Sequence, residues 1–419
     1  MSDRPLRFAV VIQTPRDPQS AVYIGYQALA DALQRLGHSV EIVSPAEFPG
    51  ISRLNGRWVP LAYPLSVARW LNRRRNDFDL VMFHSYSGWL ASALARGRPR
   101  SLVMFHGVEP LYHRELRQEA ALDGSGLSWR YRALQEVVMP VILRIACRTA
   151  SGVACLNRAE ADYLSARNWV TGRGAAVLAH GVADEFFATA RTPRPIQHLL
   201  FVGQWLPMKG TRYLRDAMTT ILRENPSMRL TCAGTLQPEQ RVMSDFPDEV
   251  RGRVVVLPRV DQSTLARLYR DADVFVFPSL YEGFSRAIVE AMASRLPIVC
   301  TAVGVAADAL KHEESALFVP KRSAPAIAAA VQRLRDDPAL AAALAGAAAE
   351  KATDYTLAEV SRRTIDVIVD VACGPLQVLS KSRTTVANER ASEPTRAERG
   401  VRGPGSERAG ESEGRSPSE

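Results

Sequence analysis

Glu282 and Glu290 stand eight residues apart in VFVFPSLYEGFSRAIVEAMASRLP, Val274–Pro297, the segment of the chain richest in chemistry. Its apolar opening reads as a buried strand ending at Pro278. A loop from Ser279 to Ser285 follows, then a helix with Ser285 as its N-cap. Gly283 lets the backbone come close to a ligand. The amides of Gly283, Phe284 and Ser285 would face out of a helix N-terminus, where N–H groups and the helix dipole favour an anion such as a phosphate. Glu282 sits at the mouth of that loop. Glu290 interrupts the apolar stretch AIVEAMA, and a carboxylate beside a ribose accepts two hydroxyl hydrogen bonds at once. Taken alone, Glu290 reads as a solvated helix face. With the loop, the helix start and Glu282, it reads as a ligand group.

A second layout of the same kind is LLFVGQWLPMKGTR, Leu199–Arg212. A strand runs into a turn at Gly203, then Gln204, a loop ending in Lys209-Gly210, and a helix: again a cradle for phosphate. Lys209 is a compact cation where phosphates should lie. Only five of the 53 basic residues are Lys, and none precedes residue 209. A lysine there is a compositional surprise, although by itself it reads as a surface residue.

Both segments need a scaffold. Short apolar runs at Phe8–Ile12, Val40–Val43, Leu80–Phe83, Leu102–Phe105 and Gly152–Leu156 read as strands, separated by amphipathic stretches such as Tyr26–Leu36. The beat restarts at Leu199–Val202 and continues through Arg229–Cys232, Val254–Leu257, Val274–Phe277, Ile298–Cys300 and Leu317–Val319. Strand–helix alternation predicts parallel sheets covered on both faces. Two series predict an α/β protein of two doubly wound, Rossmann-like domains, 1–190 and 191–374, joined near the proline-bearing Thr189–Gln197. Residues 375–419 form a third region. From about Ser380 the chain has no Leu, Ile, Phe, Met, Trp or Tyr, so it cannot bury enough to offset its ordering entropy and is expected to be disordered. In open parallel sheets ligands bind beyond the carboxyl ends of strands. Two such domains place a cleft where the two phosphate cradles lie.

Composition excludes several classes. No apolar run reaches the roughly 20 residues that span a bilayer, and the opening MSDRPLRFAVVIQTP suits a first strand rather than a signal peptide. The five cysteines are scattered without metal-ligand spacing and read as reduced cytosolic core residues. Residues 1–190 carry 22 Arg against 16 acidic residues, a surplus of +6 within the total of +9. That suits an anionic partner such as a membrane surface, with Arg69, Arg73, Arg74 and Arg75 beside Trp70 and Leu71 as one candidate patch and Arg96, Arg98 and Arg100 as another. An Arg-rich bias without any partner accounts for the charge equally well. No nucleic-acid-binding signature is present, so no such partner is expected.

The paired segments resemble the family 4 glycosyltransferases of the GT-B fold. GQWLPMKG stands where that family has GR-loop-KG, and EGFSRAIVEAMA stands for its Glu-(seven residues)-Glu motif. LPRVDQSTLARLYRDADVFVFPS, PIVCTAVGVAADAL and SALFVP match in register, so the resemblance covers nearly all of 195–350. The first half matches more loosely, through MFHGVEP at Met104–Pro110, ACLNRAEADYL and HGVADEFF.

The resemblance implies a retaining, metal-independent sugar transfer from a nucleoside diphosphate sugar to a glycan, lipid-linked or small-molecule acceptor. It implies a cytoplasmic enzyme, peripheral on the inner membrane face if the basic half binds lipid. No cofactor is expected. Lys209 and the amides of Gly283, Phe284 and Ser285 would stabilise the leaving diphosphate, Glu290 would hold the ribose, Glu282 would hold donor-sugar hydroxyls, and His106 would face that sugar. Gly203 and Gln204 would complete the donor cradle. Two departures stand out. Gln204 replaces the family's Arg, and the first loop lacks the family's glycine pair, having only Gly25 between Pro15 and Tyr26. Rival readings on the same architecture are a nucleotide-sugar epimerase and an inactive sugar-nucleotide-binding protein.

Overall fold

The computed structural model of the chain describes residues 4–17, 21–48, 50–51, 59–95, 97, 99–170, 174–187, 191 and 194–373. The tail from 375, and residues 189, 190, 192 and 193 of the expected joint at 189–197, lie outside the described residues. The described residues pack as one unit.

Two parallel sheets of six strands organise that unit. The first comprises β1 (Arg7–Val11), β2 (Ser39–Val43), β3 (Leu80–His84), β4 (Arg100–Met104), β5 (Gly152–Cys155) and β6 (Ala176–Val177), in the order β2-β1-β3-β4-β5-β6. The second comprises β7 (His198–Val202), β8 (Arg229–Ala233), β9 (Val254–Leu257), β10 (Val274–Phe277), β11 (Ile298–Cys300) and β12 (Leu317–Phe318), in the order β12-β11-β10-β7-β8-β9. Every expected strand is present within two residues of its expected ends. The two-residue β6 has too little apolar sequence to announce itself.

Strand pleating explains the layers. In β1, Phe8 and Val10 face one core cluster while Ala9 and Val11 face the other. Because both faces of these strands are covered, they read as continuous apolar runs. The helix Thr211–Glu224 buries Leu214, Ala217, Met218, Ile221 and Leu222, the spacing of one helical face. The cluster on one face of the first sheet is continuous with the interior of the second half.

Several contacts lock the halves together. The helix Glu109–Leu122 sends Glu115 and Glu119, both buried, to Lys321 and Arg322 at 2.8–3.1 Å. Tyr213 donates to Glu119 at 3.1 Å. The last helix, Leu357–Cys373, returns to the first sheet, where Arg100 donates to the Val371 carbonyl at 3.0 Å.

The structure corrects two expectations. The helix expected at Tyr26–Leu36 begins at Ala21, so Gly25 lies within a helix and not in the loop after β1. The patch at Arg69–Arg75 offers little apolar surface to lipid, Trp70 being half-buried. Leu71 is buried, and Trp70 stacks on Phe78 with ring centroids 5.5 Å apart. Arg74 lies over both rings and is held by Glu41 at 2.7 Å and Asp77 at 2.9 Å. Of the second basic cluster, Arg96 and Arg98 lie outside the described residues.

The turn after β7 depends on a backbone constraint. Gly210 has φ +70°, and a Cβ there would lie 2.0 Å from the Pro278 carbonyl oxygen. Gly210→Ala is expected to lower stability by about 1–3 kcal/mol, read as a reduced midpoint in urea unfolding with an unchanged slope. A midpoint equal to wild type would contradict the tight approach.

Candidate functional site

The carboxyl ends of β7 and β10 bring the two sequence segments together. Phe277 and Phe201 stack with centroids 6.2 Å apart at the ends of those strands, and the two loops leave side by side. Lys209 ends a short 3-10 turn, Pro207–Lys209, and Gly210 with its left-handed backbone turns the chain into the next helix. This places Lys209 Nζ 2.6 Å from Glu282 Oε1 and 5.7 Å from the Phe277 ring centroid. Ser279 Oγ donates to the same Glu282 oxygen at 2.6 Å. Glu282 is 9% exposed and Lys209 24%, so the pair is sheltered but reachable. The two residues, 73 apart in sequence, form one site.

Glu290 is buried on the helix Arg286–Ala293, not solvated. Tyr269 donates to its Oε2 at 3.1 Å, and Arg286 Nη2 lies 3.5 Å from its Oε1. Burial raises its pKa above the ordinary carboxylate value, while Arg286 and the Tyr269 hydroxyl oppose that rise.

Ser285 departs from expectation. It holds the N-cap position, but its φ is +79° and its side chain makes no capping hydrogen bond. A left-handed residue directs its side chain away from the first turn, and Ser285 Oγ is buried without a partner. No side chain therefore caps the first turn of this helix, which leaves its N-terminus open to a ligand.

Gly283 and Phe284 serve two purposes. A Cβ on Gly283 would sit 2.2 Å from the His106 carbonyl oxygen, so the loop rests directly on the first half. Asn157 Nδ2 donates to the Gly283 carbonyl at 2.6 Å. The Phe284 side chain is buried edge-on against His180, with centroids 5.3 Å apart. Tyr281 donates to Glu160, whose carboxyl is pushed up to about 7 by burial, and accepts from the Val108 amide at 2.6 Å.

His106 follows β4 and lies at this junction. Its Nε2 is 2.9 Å from the Tyr26 hydroxyl, and its ring centroid is 4.6 Å from that of His84 and 5.2 Å from that of His180. Burial pushes His84 and His180 down to about 4 and His106 well below its ordinary value. A cavity of about 150 Å³ opens beside them, lined by Gly25, Tyr26, His106, His180, Gln262 and Arg286 among others. Gly203 has φ +155° and its amide bonds to the Ala233 carbonyl at 2.9 Å. Gln204 beside it is exposed.

Arg286 escaped the sequence reading. It starts the helix beside the Gly283 amide, is 27% exposed, and leaves its Nε buried without a partner. It adds a second cation at the helix N-terminus. In sequence it resembles any surface arginine, and only the fold turns it inward. Asn157, His84, His180 and Tyr269 were equally invisible, because their partners lie 18 to 126 residues away.

Two family profiles match the halves separately: "Glycosyltransferase Family 4" over residues 25–186 and "Glycosyl transferases group 1" over 196–337. The chain is 23% identical over 407 residues to a phosphatidyl-myo-inositol mannosyltransferase of Mycolicibacterium smegmatis, covering 89% of this chain and 96% of that one. Its fold is similar to that of a sucrose-phosphate synthase from Thermosynechococcus elongatus, with TM-score 0.71 at 20% identity, covering 88% of this chain and 99% of that one. It is also similar to Anabaena HepE in complex with UDP and glucose, with TM-score 0.62 at 16% identity, covering 87% and 99%.

The three histidines make the junction acid-sensitive. Their folded values lie below the ordinary 6.5, so the unfolded chain binds protons first as pH falls. The histidines' contribution to stability is complete above about pH 6.5 and is lost progressively toward pH 4. The thermal midpoint should fall across that window, and His84→Gln with His180→Gln should flatten the slope. An equal slope in wild type and double mutant would mean that other groups carry the acid sensitivity.

Proposed function

Since the chain belongs to glycosyltransferase family 4, we propose that it transfers a sugar from a nucleoside diphosphate sugar with retention of configuration and without a metal ion. The carrying observation is the Lys209–Glu282 pair, set at 2.6 Å beside an uncapped helix N-terminus. A diphosphate arriving there meets Lys209, the amides of Gly283, Phe284 and Ser285, and Arg286. These fixed positive groups stabilise the charge that grows on the leaving phosphate, the part a metal ion would otherwise play. Glu290, steadied by Tyr269 and Arg286, takes the ribose hydroxyls. Glu282, freed in part from Lys209 by the diphosphate, takes donor-sugar hydroxyls. His106, neutral under ordinary conditions, faces the sugar from the first half.

Retention follows if the acceptor attacks from the face the diphosphate leaves. The C–O bond to the phosphate breaks, the acceptor oxygen bonds to the same carbon, and the leaving phosphate takes the acceptor proton. No step requires a nucleophilic carboxylate. The acceptor is a glycan, a lipid-linked sugar or a small molecule bound against the first half. An anionic membrane surface remains part of the proposal as a partner, although not through Arg69–Arg75. Among the described residues no helix is long and apolar enough to cross a membrane.

Glu290→Ala and Lys209→Ala should each weaken nucleotide-sugar binding by about 1.5–3 kcal/mol, measured by calorimetry over a panel of UDP-, GDP- and ADP-sugars. Unchanged affinity in both variants would refute the site. The product of the accepted donor should keep the donor's anomeric configuration by NMR and form equally fast in EDTA; inversion, or loss of rate with chelator, would overturn the mechanism. A donor sugar altered without any acceptor would indicate an epimerase. Gln204→Arg should tighten nucleoside diphosphate binding, with a gain that shrinks as salt rises; a gain independent of salt would place that side chain away from the phosphates.

A further inference from the structure

A continuous helix runs from Trp129 to Thr149, through Trp129–Ala133, a wider π-helical stretch Leu134–Val138, and Met139–Thr149. One face is core: Met139, Leu143, Ala146 and Cys147 are buried in the first half. The opposite face of such a helix is ordinarily polar. Here it is apolar. Val137 is 64% exposed and Val141 56%, Val138 and Leu134 join them, and Trp129 at the start of the helix is 73% exposed. Leu94 on the neighbouring helix Trp89–Ala95 is 65% exposed. Leu134, Val137, Val138 and Val141 have the i, i+3, i+4, i+7 spacing of one helical face.

Charge brackets this band. The helix carries Arg130 and Arg132 before it and Arg144 and Arg148 after it, against one acid, Glu136. Glu136 lies within 4 Å of Arg117, Arg132 and His113, so it adds no free negative charge. Apolar residues flanked at both ends by exposed arginines match an interfacial helix, whose aliphatic side chains enter the acyl boundary while guanidinium groups reach phosphates.

We propose that this face, centred on Val137 and Val141, seats the protein on the surface of an anionic lipid bilayer. The inference deepens the membrane partner proposed above and rests on that reading, but not on the donor chemistry. A second copy of the chain fits less well, because pairing the face with itself would set arginines against arginines. The helix also contacts the helix Glu109–Leu122, which leads directly from His106 into the contacts with the second half. The bilayer would thus lie close to the acceptor side of the cleft.

Co-sedimentation of the full chain with vesicles tests this. Wild type should pellet with phosphatidylglycerol-containing vesicles at low salt and remain in the supernatant with pure phosphatidylcholine. Val137→Glu with Val141→Glu should lower the bound fraction at least tenfold, with an unchanged thermal midpoint, as expected of exposed positions. Arg130→Glu with Arg144→Glu should release the protein at lower salt than wild type. Arg73→Glu with Arg75→Glu should pellet like wild type. Failure of wild type to pellet overturns both the face and the membrane partner. Pelleting that survives Val137→Glu with Val141→Glu overturns the face alone. Lipid-free dimerisation abolished by that pair of substitutions would assign the face to a second copy.

Discussion

The site depends on one close approach. The loop carrying Glu282 and Gly283 rests on the backbone of His106, with the place of a Gly283 side chain taken by the His106 carbonyl oxygen. Any larger residue would push the halves apart. Asn157 holds the same loop through the Gly283 carbonyl, and Tyr281 inserts between Val108 and Glu160. One short segment therefore touches both halves of the chain. The buried ion pairs of Glu115 and Glu119 with Lys321 and Arg322 support this junction at a second point. Removing one partner of such a pair leaves a buried charge alone, which costs far more than the pair itself contributes.

Electrostatics within the cleft are balanced before any ligand arrives. Lys209 is matched by Glu282 and Arg286 by Glu290. In the proposed reaction an incoming diphosphate would compete with Glu282 for Lys209, and the carboxylate released would become available to sugar hydroxyls. In the proposed donor site the charge absent at Gln204 would be supplied by Arg286, the first residue of the helix Arg286–Ala293.

The first half shows how little charge counts say about surfaces. Its arginines at 69–75 looked like a membrane patch by composition, yet Trp70 and Leu71 turn inward and Arg74 is tied to two acids. The apolar face that does reach solvent lies at Trp129–Val141, where sequence shows only a helical pattern interrupted by Pro140.

By itself the sequence determined the strands, because doubly covered parallel strands are continuous apolar runs, and it marked two segments as candidate phosphate cradles, because a glycine turn and a helix start are local devices. Glu282, Glu290 and Lys209 stood out as candidates for the same reason: each sits within a few residues of such a device. The tertiary structure alone decided what those residues touch. The Lys209–Glu282 pair joins residues 73 positions apart, the His84–His106–His180 cluster draws on the end of β3 and two separate loops, and Gly283 meets His106 across the two halves. Whether a side chain points in or out was also decided there. Glu290 is buried, Ser285 does not cap, and Arg286 turns toward the cleft, because packing between distant elements sets solvent access and no local spacing encodes it.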